Sequence, residues 1–313
     1  MQAHAAQENT AVPSPLKGLA AVRLAALDIK LSHTVFALPF AVLGAFLARE
    51  PDAPWSRFGV QMLLVLVCMV FGRTWAMLIN RIADRRIDAD NPRTARRAFA
   101  AGKLSQGFGA AALIACALGF IAGAAGFWFH TANPWPVILS VPVLLYLGGY
   151  SFTKRFTWLC HLYLGVALSI SPVAAALAVN PHALTSTPAL WWLMGMVALW
   201  VAGFDIIYSL QDVEIDRAAK LWSVPSRLGV SSAIWISRIL HLAAFSSLVI
   251  AFRAEPRFSM LFGCAVVLVG ILLITEHMVL AKRGKAGLEM AFFTLNGIVS
   301  CILGIAGCID LLV

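Results

Sequence analysis

The chain has 313 residues, of which 60% are hydrophobic and only 12% charged, with a formal net charge of +9. An ordinary soluble domain carries about 25% charged residues, so this composition excludes a soluble enzyme and describes a membrane protein. The positive balance does not mark a nucleic-acid binder either, because the basic residues recur in alternate connections between apolar stretches.

In chain order, the first fifteen residues are polar, include Pro13 and Pro15, and lack the basic start and apolar centre of a signal peptide. They are expected to form a disordered tail, with residues 16–313 making one membrane domain. A hydrocarbon layer about 30 Å thick needs about 20 apolar residues in helix. Nine such stretches follow, near 31–48, 58–80, 108–129, 136–152, 158–179, 189–211, 233–252, 258–280 and 291–313. They are too long and too continuous for barrel strands. The expected fold is therefore an all-α integral membrane protein, nine transmembrane helices in a bundle with a polar cap over an intramembrane cavity. The six cysteines (68, 116, 160, 264, 301 and 308) stand singly, without CxxC spacing, and read as small apolar residues.

Nineteen of the 24 Lys and Arg residues fall in alternate connections: Lys17 to Lys30, Arg81 to Lys103, Lys154 with Arg155, Arg217 to Arg238, and Lys282 to Lys285. The positive-inside rule then places the amino terminus and these connections in the cytoplasm. That topology puts the two conspicuous acidic clusters on one side. In "INRIADRRIDADNPRTARR", Asn80, Asp84 and Asp88 follow at i, i+4 and i+8, one helix face if the helix continues beyond the apolar stretch. In "DIIYSLQDVEID", Asp205, Asp212 and Asp216 stand at i, i+7 and i+11, a spacing that Arg73, Asn80 and Asp84 repeat. Each helix thus carries one buried ionisable group roughly 10 Å below a carboxylate rim.

Oxygen ligands without His or Cys suit a hard cation such as Mg²⁺, which binds through a few carboxylates plus substrate phosphates. Two facing rims could hold a metal diphosphate. One DxxxD run alone is as easily a solvated loop; two on the same side, each prolonging a buried charge, point to a site. Arg93 and Arg97, four residues apart, and Lys154 and Arg155 are the candidates for phosphate. A short basic loop at Lys154 and Arg155 is also what topology alone demands. An ionisable group inside the apolar layer marks a function or a paired ion. Arg73 could snorkel to the rim; Asp205 is too short for that and should face a hydrated cavity, an interior Arg or a substrate hydroxyl, with Tyr208 on the same face.

These motifs resemble the signatures of the UbiA family of intramembrane prenyltransferases, NDxxDxxxD and a second DxxxD. Here they read Asn80-Arg-Ile-Ala-Asp84-Arg-Arg-Ile-Asp88 and Asp212-Val-Glu-Ile-Asp216, with "RTARR" and "TKR" also family-like. The resemblance runs from about residue 20 to the end. It implies that Asn80, Asp84, Asp88, Asp212 and Asp216 hold Mg²⁺ against the diphosphate of an allylic polyprenyl donor, with Arg93, Arg97, Lys154 and Arg155 on the phosphates. It further implies Arg73, Asp205, Tyr150 and Tyr208 around an aromatic acceptor, with Asp205 counted among the catalytic carboxylates. Arg81 departs from the pattern, removing one optional carboxylate, and Ala98 stands where many members have Pro.

The implied reaction is transfer of a polyprenyl group to 4-hydroxybenzoate, ortho to its hydroxyl, in ubiquinone or menaquinone biosynthesis at a bacterial inner membrane. The stretch "IKLSHTVFALPFA" resembles a subgroup associated with the futalosine route to menaquinone, so a naphthoate or another quinone precursor, haem or a lipid is the alternative acceptor. A transporter is the rival from another class, but its charges belong near the bilayer midplane rather than at a rim. The partners expected are the donor, the acceptor and the bilayer, with no nucleic acid and no obligate protein. His33 is a minor acceptor candidate, and Glu276 and His277 are expected to be structural.

Overall fold

The structure is a computed structural model that describes residues 15–29, 35–288 and 290–313. The tail expected to be disordered, apart from residue 15, and His33 lie outside the described residues. Among the described residues every regular element is helical. Helix α1 (Gly18–Asp28) is amphipathic and turns Ala21, Ala25 and Ile29 onto Leu78, Ala98, Phe99 and Leu104. It lies against the connection that follows the second apolar stretch, where the Leu16 amide also bonds the Lys103 carbonyl at 3.0 Å.

The expected first span, 31–48, is represented by α2 (Leu38–Leu47), which carries Pro39 in its first turn. Ten residues cover only about 15 Å. Among the described residues, eight helices are long and apolar enough to cross a membrane. They are α3 (Trp55–Ala83), α5 (Gln106–Thr131), α6 (Trp135–Thr153), α7 (Cys160–Val179), α9 (Ala189–Ser209), α12 (Val230–Ala254), α13 (Met260–Arg283), and a last span that opens as a π-helical turn, Met290–Leu295, and continues as α14 (Asn296–Asp310). Short helices α4 (Arg85–Asp90), α10 (Val213–Ala218) and α11 (Val224–Leu228) gather at one end, where α3, α6, α9 and α13 finish; α8 (Ala183–Ser186) lies at the other.

The sequence of α9 is apolar on every side, as a central helix should be. Leu190, Leu193, Met196, Val197, Trp200 and Val201 are wholly buried. Lipid is as apolar as these side chains, so close packing and small residues hold such helices together. Gly165 of α7 brings its backbone onto α9, where an added Cβ would overlap the Ala198 carbonyl; Gly44 of α2 does the same against the Pro172 backbone. Pro172 leaves the Leu168 carbonyl without its helical N–H. The Ser171 hydroxyl takes that place, donating to Leu168 O at 2.8 Å.

One buried polar tie fixes the last two spans to the centre. Trp200 Nε1 donates to Asn296 Oδ1 at 2.6 Å, and Asn296 Nδ2 donates to Glu276 Oε1 at 3.2 Å. Glu276 is 1% exposed. The six cysteines are free thiols.

Gly165→Val should destabilise the bundle by roughly 1–3 kcal/mol, because the α7 and α9 backbones must separate. Gly107→Ala, where a Cβ meets nothing within 4 Å, should not. Thermal unfolding in lipid nanodiscs checks both.

Candidate active site

The first rim forms where α3 ends. Asp84 interrupts the helix at φ −92°, ψ 3°. Its amide still bonds the Asn80 carbonyl at 3.0 Å, and the Asp88 amide bonds the Asp84 carbonyl at 2.7 Å, so the i, i+4 stagger survives into α4. Asn80 Nδ2 donates to Asp84 Oδ2 at 3.1 Å. The Asp84 carboxylate is buried and takes both bases of the loop after α6: Lys154 Nζ at 2.6 Å and Arg155 Nη2 at 3.1 Å. Arg155 also donates to the Ala83 carbonyl at 2.9 Å. Asp88 receives Arg97 Nη1 at 2.8 Å on each oxygen.

The second rim forms where α9 ends. Asp212 is gripped by a guanidinium fork, Arg93 Nε at 3.1 Å and Nη2 at 2.5 Å, a geometry only Arg supplies. Asn91 Nδ2 adds a third bond at 3.0 Å, and Arg93 Nη1 donates to the Tyr208 hydroxyl at 3.2 Å. Asp216 accepts the Ser223 hydroxyl at 2.7 Å. Burial pushes the Asp216 carboxyl above the usual carboxylate range, and the Ser223 bond and nearby Lys154 only partly oppose this. The Trp222 amide bonds the Lys154 carbonyl at 2.6 Å, joining the second cap to the loop that holds Asp84. The two rims therefore converge through Asn91, Arg93 and Lys154. Asn91 gave no signal of its own in the sequence beyond its place beside Pro92.

Below the rims lie the residues singled out for their burial. Tyr150 lies near enough to Arg73, Arg81, Asp84 and Asp205 for their charges to act on it. Tyr208 packs against Phe292 with the rings tilted and their centroids 4.1 Å apart, and it carries the Arg93 guanidinium over its face. Arg73 Nη2 donates to the Ile29 carbonyl at 3.2 Å. Asp205 has a partner that the sequence reading did not include: His161, with Nδ1 2.7 Å from Oδ2. His161 stands 44 residues away at the start of α7, a proximity that only the tertiary fold creates.

Arg81 departs from expectation. It is more than a missing carboxylate: it is buried and pairs through Nε with Asp28 Oδ2 at 3.2 Å, while its Nη2 donates to the Asp28 carbonyl. Asp28 Oδ1 accepts the Ala98 amide at 3.1 Å. The end of α1 is thereby fastened to the loop that carries Arg93 and Arg97. A proline at 98 would lack that amide, so the two departures at 81 and 98 form one compensated arrangement with Asp28.

Among the described residues no three His, Cys, Asp or Glu side chains lie close enough to hold a metal ion by themselves. Asn80, Asp84, Asp88, Asp212 and Asp216 are thus not a preassembled cage; Asp84, Asp88 and Asp212 each have a basic partner. Their chemistry still fits Mg²⁺, since the donors are all oxygen or amide and Mg²⁺ ordinarily takes one or two carboxylates and completes its shell with phosphate oxygens.

A helical membrane bundle whose one mouth pairs carboxylates with bases defines an intramembrane enzyme. Residues 37–298 match the model of the UbiA prenyltransferase family, and the chain belongs to that family. It is a prenyltransferase and an integral membrane protein. It is 33% identical over 254 residues to a 4-hydroxybenzoate octaprenyltransferase of Nitrosomonas europaea, covering 76% of this chain and 80% of that one. A 4-hydroxybenzoate octaprenyltransferase of Pseudoalteromonas atlantica is 28% identical over 266 residues, covering 83% and 87%. The solved UbiA homologue of Aeropyrum pernix K1 superposes with a TM-score of 0.79 at 32% identity, covering 90% of this chain and 98% of that one. A homologue from Archaeoglobus fulgidus, bound to GPP and Mg²⁺, shares the fold with a TM-score of 0.69 at 17% identity, covering 93% and 100%.

Arg81→Leu should destabilise the protein by roughly 3 kcal/mol by leaving Asp28 buried and unpaired, and Asp28→Leu added to it should restore most of the loss. A double-mutant cycle on thermal unfolding measures the coupling.

Proposed function

We propose that the chain transfers a polyprenyl group from an allylic polyprenyl diphosphate to 4-hydroxybenzoate, with Mg²⁺ as the metal and the cap facing the cytoplasm. The observation that carries the reading is the pairing of carboxylates with bases at one mouth of the bundle. A metal diphosphate presents both signs of charge, and this mouth presents a partner for each. The names of the relatives support the choice of acceptor, and the concentration of Lys and Arg at that end supports the orientation.

In this reading Asn80, Asp84, Asp88, Asp212 and Asp216 hold the metal, and Arg93, Arg97, Lys154 and Arg155 bind the phosphates. When bound, the divalent cation neutralises charge that develops on the leaving diphosphate. The bases do the same from fixed positions in a site of low dielectric, where such stabilisation is strongest. The allylic cation left behind must meet an aromatic ring before water, which the apolar bundle around the pocket favours. Tyr208 and Tyr150 offer ring faces to that cation. Arg73 binds the acceptor's carboxylate through its guanidinium fork. Asp205 accepts the proton released as the new carbon–carbon bond forms and aromaticity returns.

The stretch "IKLSHTVFALPFA" supports a second reading in which the same machinery prenylates a menaquinone precursor such as a naphthoate. The two readings share every residue but those that fit the acceptor ring.

The decisive assay incubates membranes containing the protein with Mg²⁺, geranyl diphosphate and either 4-hydroxybenzoate or dihydroxynaphthoate, and searches lipid extracts for a prenylated ring. Product with the first acceptor is expected, lost on chelation of Mg²⁺ and in Asp84→Ala. Product with the second alone moves the protein to the other pathway, and no product with either overturns the reading. Arg73→Ala should raise the acceptor KM about tenfold or more, as loss of a charged hydrogen bond does, and leave the donor KM unchanged.

A further inference from the structure

The second rim and Asp205 are joined by a residue to which the motifs draw no attention. His161 is 4% exposed and uses both ring nitrogens. Nδ1 lies 2.7 Å from Asp205 Oδ2, and Nε2 lies 3.2 Å from the backbone nitrogen of Val224. A backbone amide can only donate, so Nε2 must offer its lone pair and carry no proton. The ring's proton is then on Nδ1, directed at Asp205. His161 is neutral, and Asp205 receives a hydrogen bond rather than a second full charge.

That tautomer decides what His161 can do. With the Nε2 lone pair occupied by an amide, the ring is not free to take a proton from anything in the pocket. It holds one oxygen of Asp205 and leaves the other; among the described residues Oδ1 has no hydrogen-bond partner, and the Asp205 side chain is 23% exposed. The same short segment fixes the rim. Val224 opens α11, and its neighbour Ser223 caps that helix and donates to Asp216 Oδ2 at 2.7 Å. Two adjacent residues thus anchor Asp216 on one side and, through His161, Asp205 on the other.

Resting on the acceptor reading given above, we infer that His161 is a positioning residue for prenyl transfer: it orients Asp205 so that Oδ1 faces the acceptor, and it registers that carboxylate against the diphosphate rim. The proton lost by the acceptor ends on Asp205 Oδ1, while Oδ2 keeps its bond from Nδ1–H. The imidazole changes neither charge nor tautomer. Its contribution lies in geometry, as with partners that orient metal ligands or catalytic carboxylates from behind.

Two measurements test this, and the first does not depend on turnover. In ¹⁵N-histidine-labelled protein in nanodiscs at neutral pH, the signal that disappears in His161→Asn should be that of a neutral ring protonated on Nδ1. An imidazolium, or a proton on Nε2, overturns the inference whatever the acceptor proves to be. The second uses the acceptor on which the wild-type protein is active. His161→Ala should lower kcat by about 100-fold, the upper range for loss of an orienting partner, with the donor KM unchanged. His161→Asn, whose amide N–H reaches from about where Nδ1 stood, should recover at least tenfold of that loss. Equal kcat in wild type and His161→Ala overturns the inference. So does an Asn variant that is as slow as Ala at the same thermal stability, since the ring would then be needed for something other than its Nδ1–H. A wild-type protein inactive on 4-hydroxybenzoate but active on the naphthoate would displace the acceptor reading and leave both tests of His161 in force.

Discussion

A charged group that enters a water-poor bundle must find a partner of opposite sign or a set of hydrogen bonds, because its desolvation is otherwise prohibitive. The cap of this protein is organised by that constraint. Asp84 is nearly sealed from solvent and is held by two bases; Asp88 and Asp212 have one each, and Asp216 has a hydroxyl. The same rule operates deeper, at Asp28 with Arg81 and at Asp205 with His161. Five spans end or begin around these pairs, and their short connecting helices exist to bring the partners together.

Such pairing suits a substrate that is itself doubly charged. A rim built of carboxylates alone would repel a diphosphate, and one built of bases alone would bind phosphate whether or not metal accompanied it. Alternation of the two disfavours either component by itself, which is specificity of the kind that repulsive elements create. The packing beneath differs in character: the rings of Phe36, Phe292 and Tyr208 meet one another there. On the proposed reading, chemistry that begins with separation of charge at the rim continues beside these rings, which offer the cation their faces in place of water.

Much of this was legible in the residues. The apolar run lengths gave the spans, because the bilayer sets that length from outside the protein. The i, i+4 and i+7 spacings gave the rim, because a helix carries its periodicity across the membrane surface. What escaped was everything that depends on distant contacts. His161 reads as one more residue at a helix start until α9 and α11 are packed against it. Asn91 looks like the turn residue before a proline. Asp28 sits in a helix that seems only to lie on the surface, and Arg81 looks like a substitution lost rather than a partner gained. Of the first apolar stretch, the described residues show a helix over Leu38–Leu47, with Pro39 in its first turn.

The bonds from Asn91 and Arg93 to Asp212 span 121 and 119 residues of chain. A membrane protein of this kind is threaded into the bilayer from its amino terminus, and Asp212 emerges only after five of the eight long spans among the described residues. Until then Arg93 has no carboxylate from the second half to grip, and the loop from Asn91 to Arg97 lacks its far anchor. Contacts of such separation close late and slowly, since loop entropy must be overcome first. The mouth of the enzyme accordingly cannot acquire its shape until the second half of the chain is being made, and a half-made chain resting in the membrane carries the acidic motif without the means to use it.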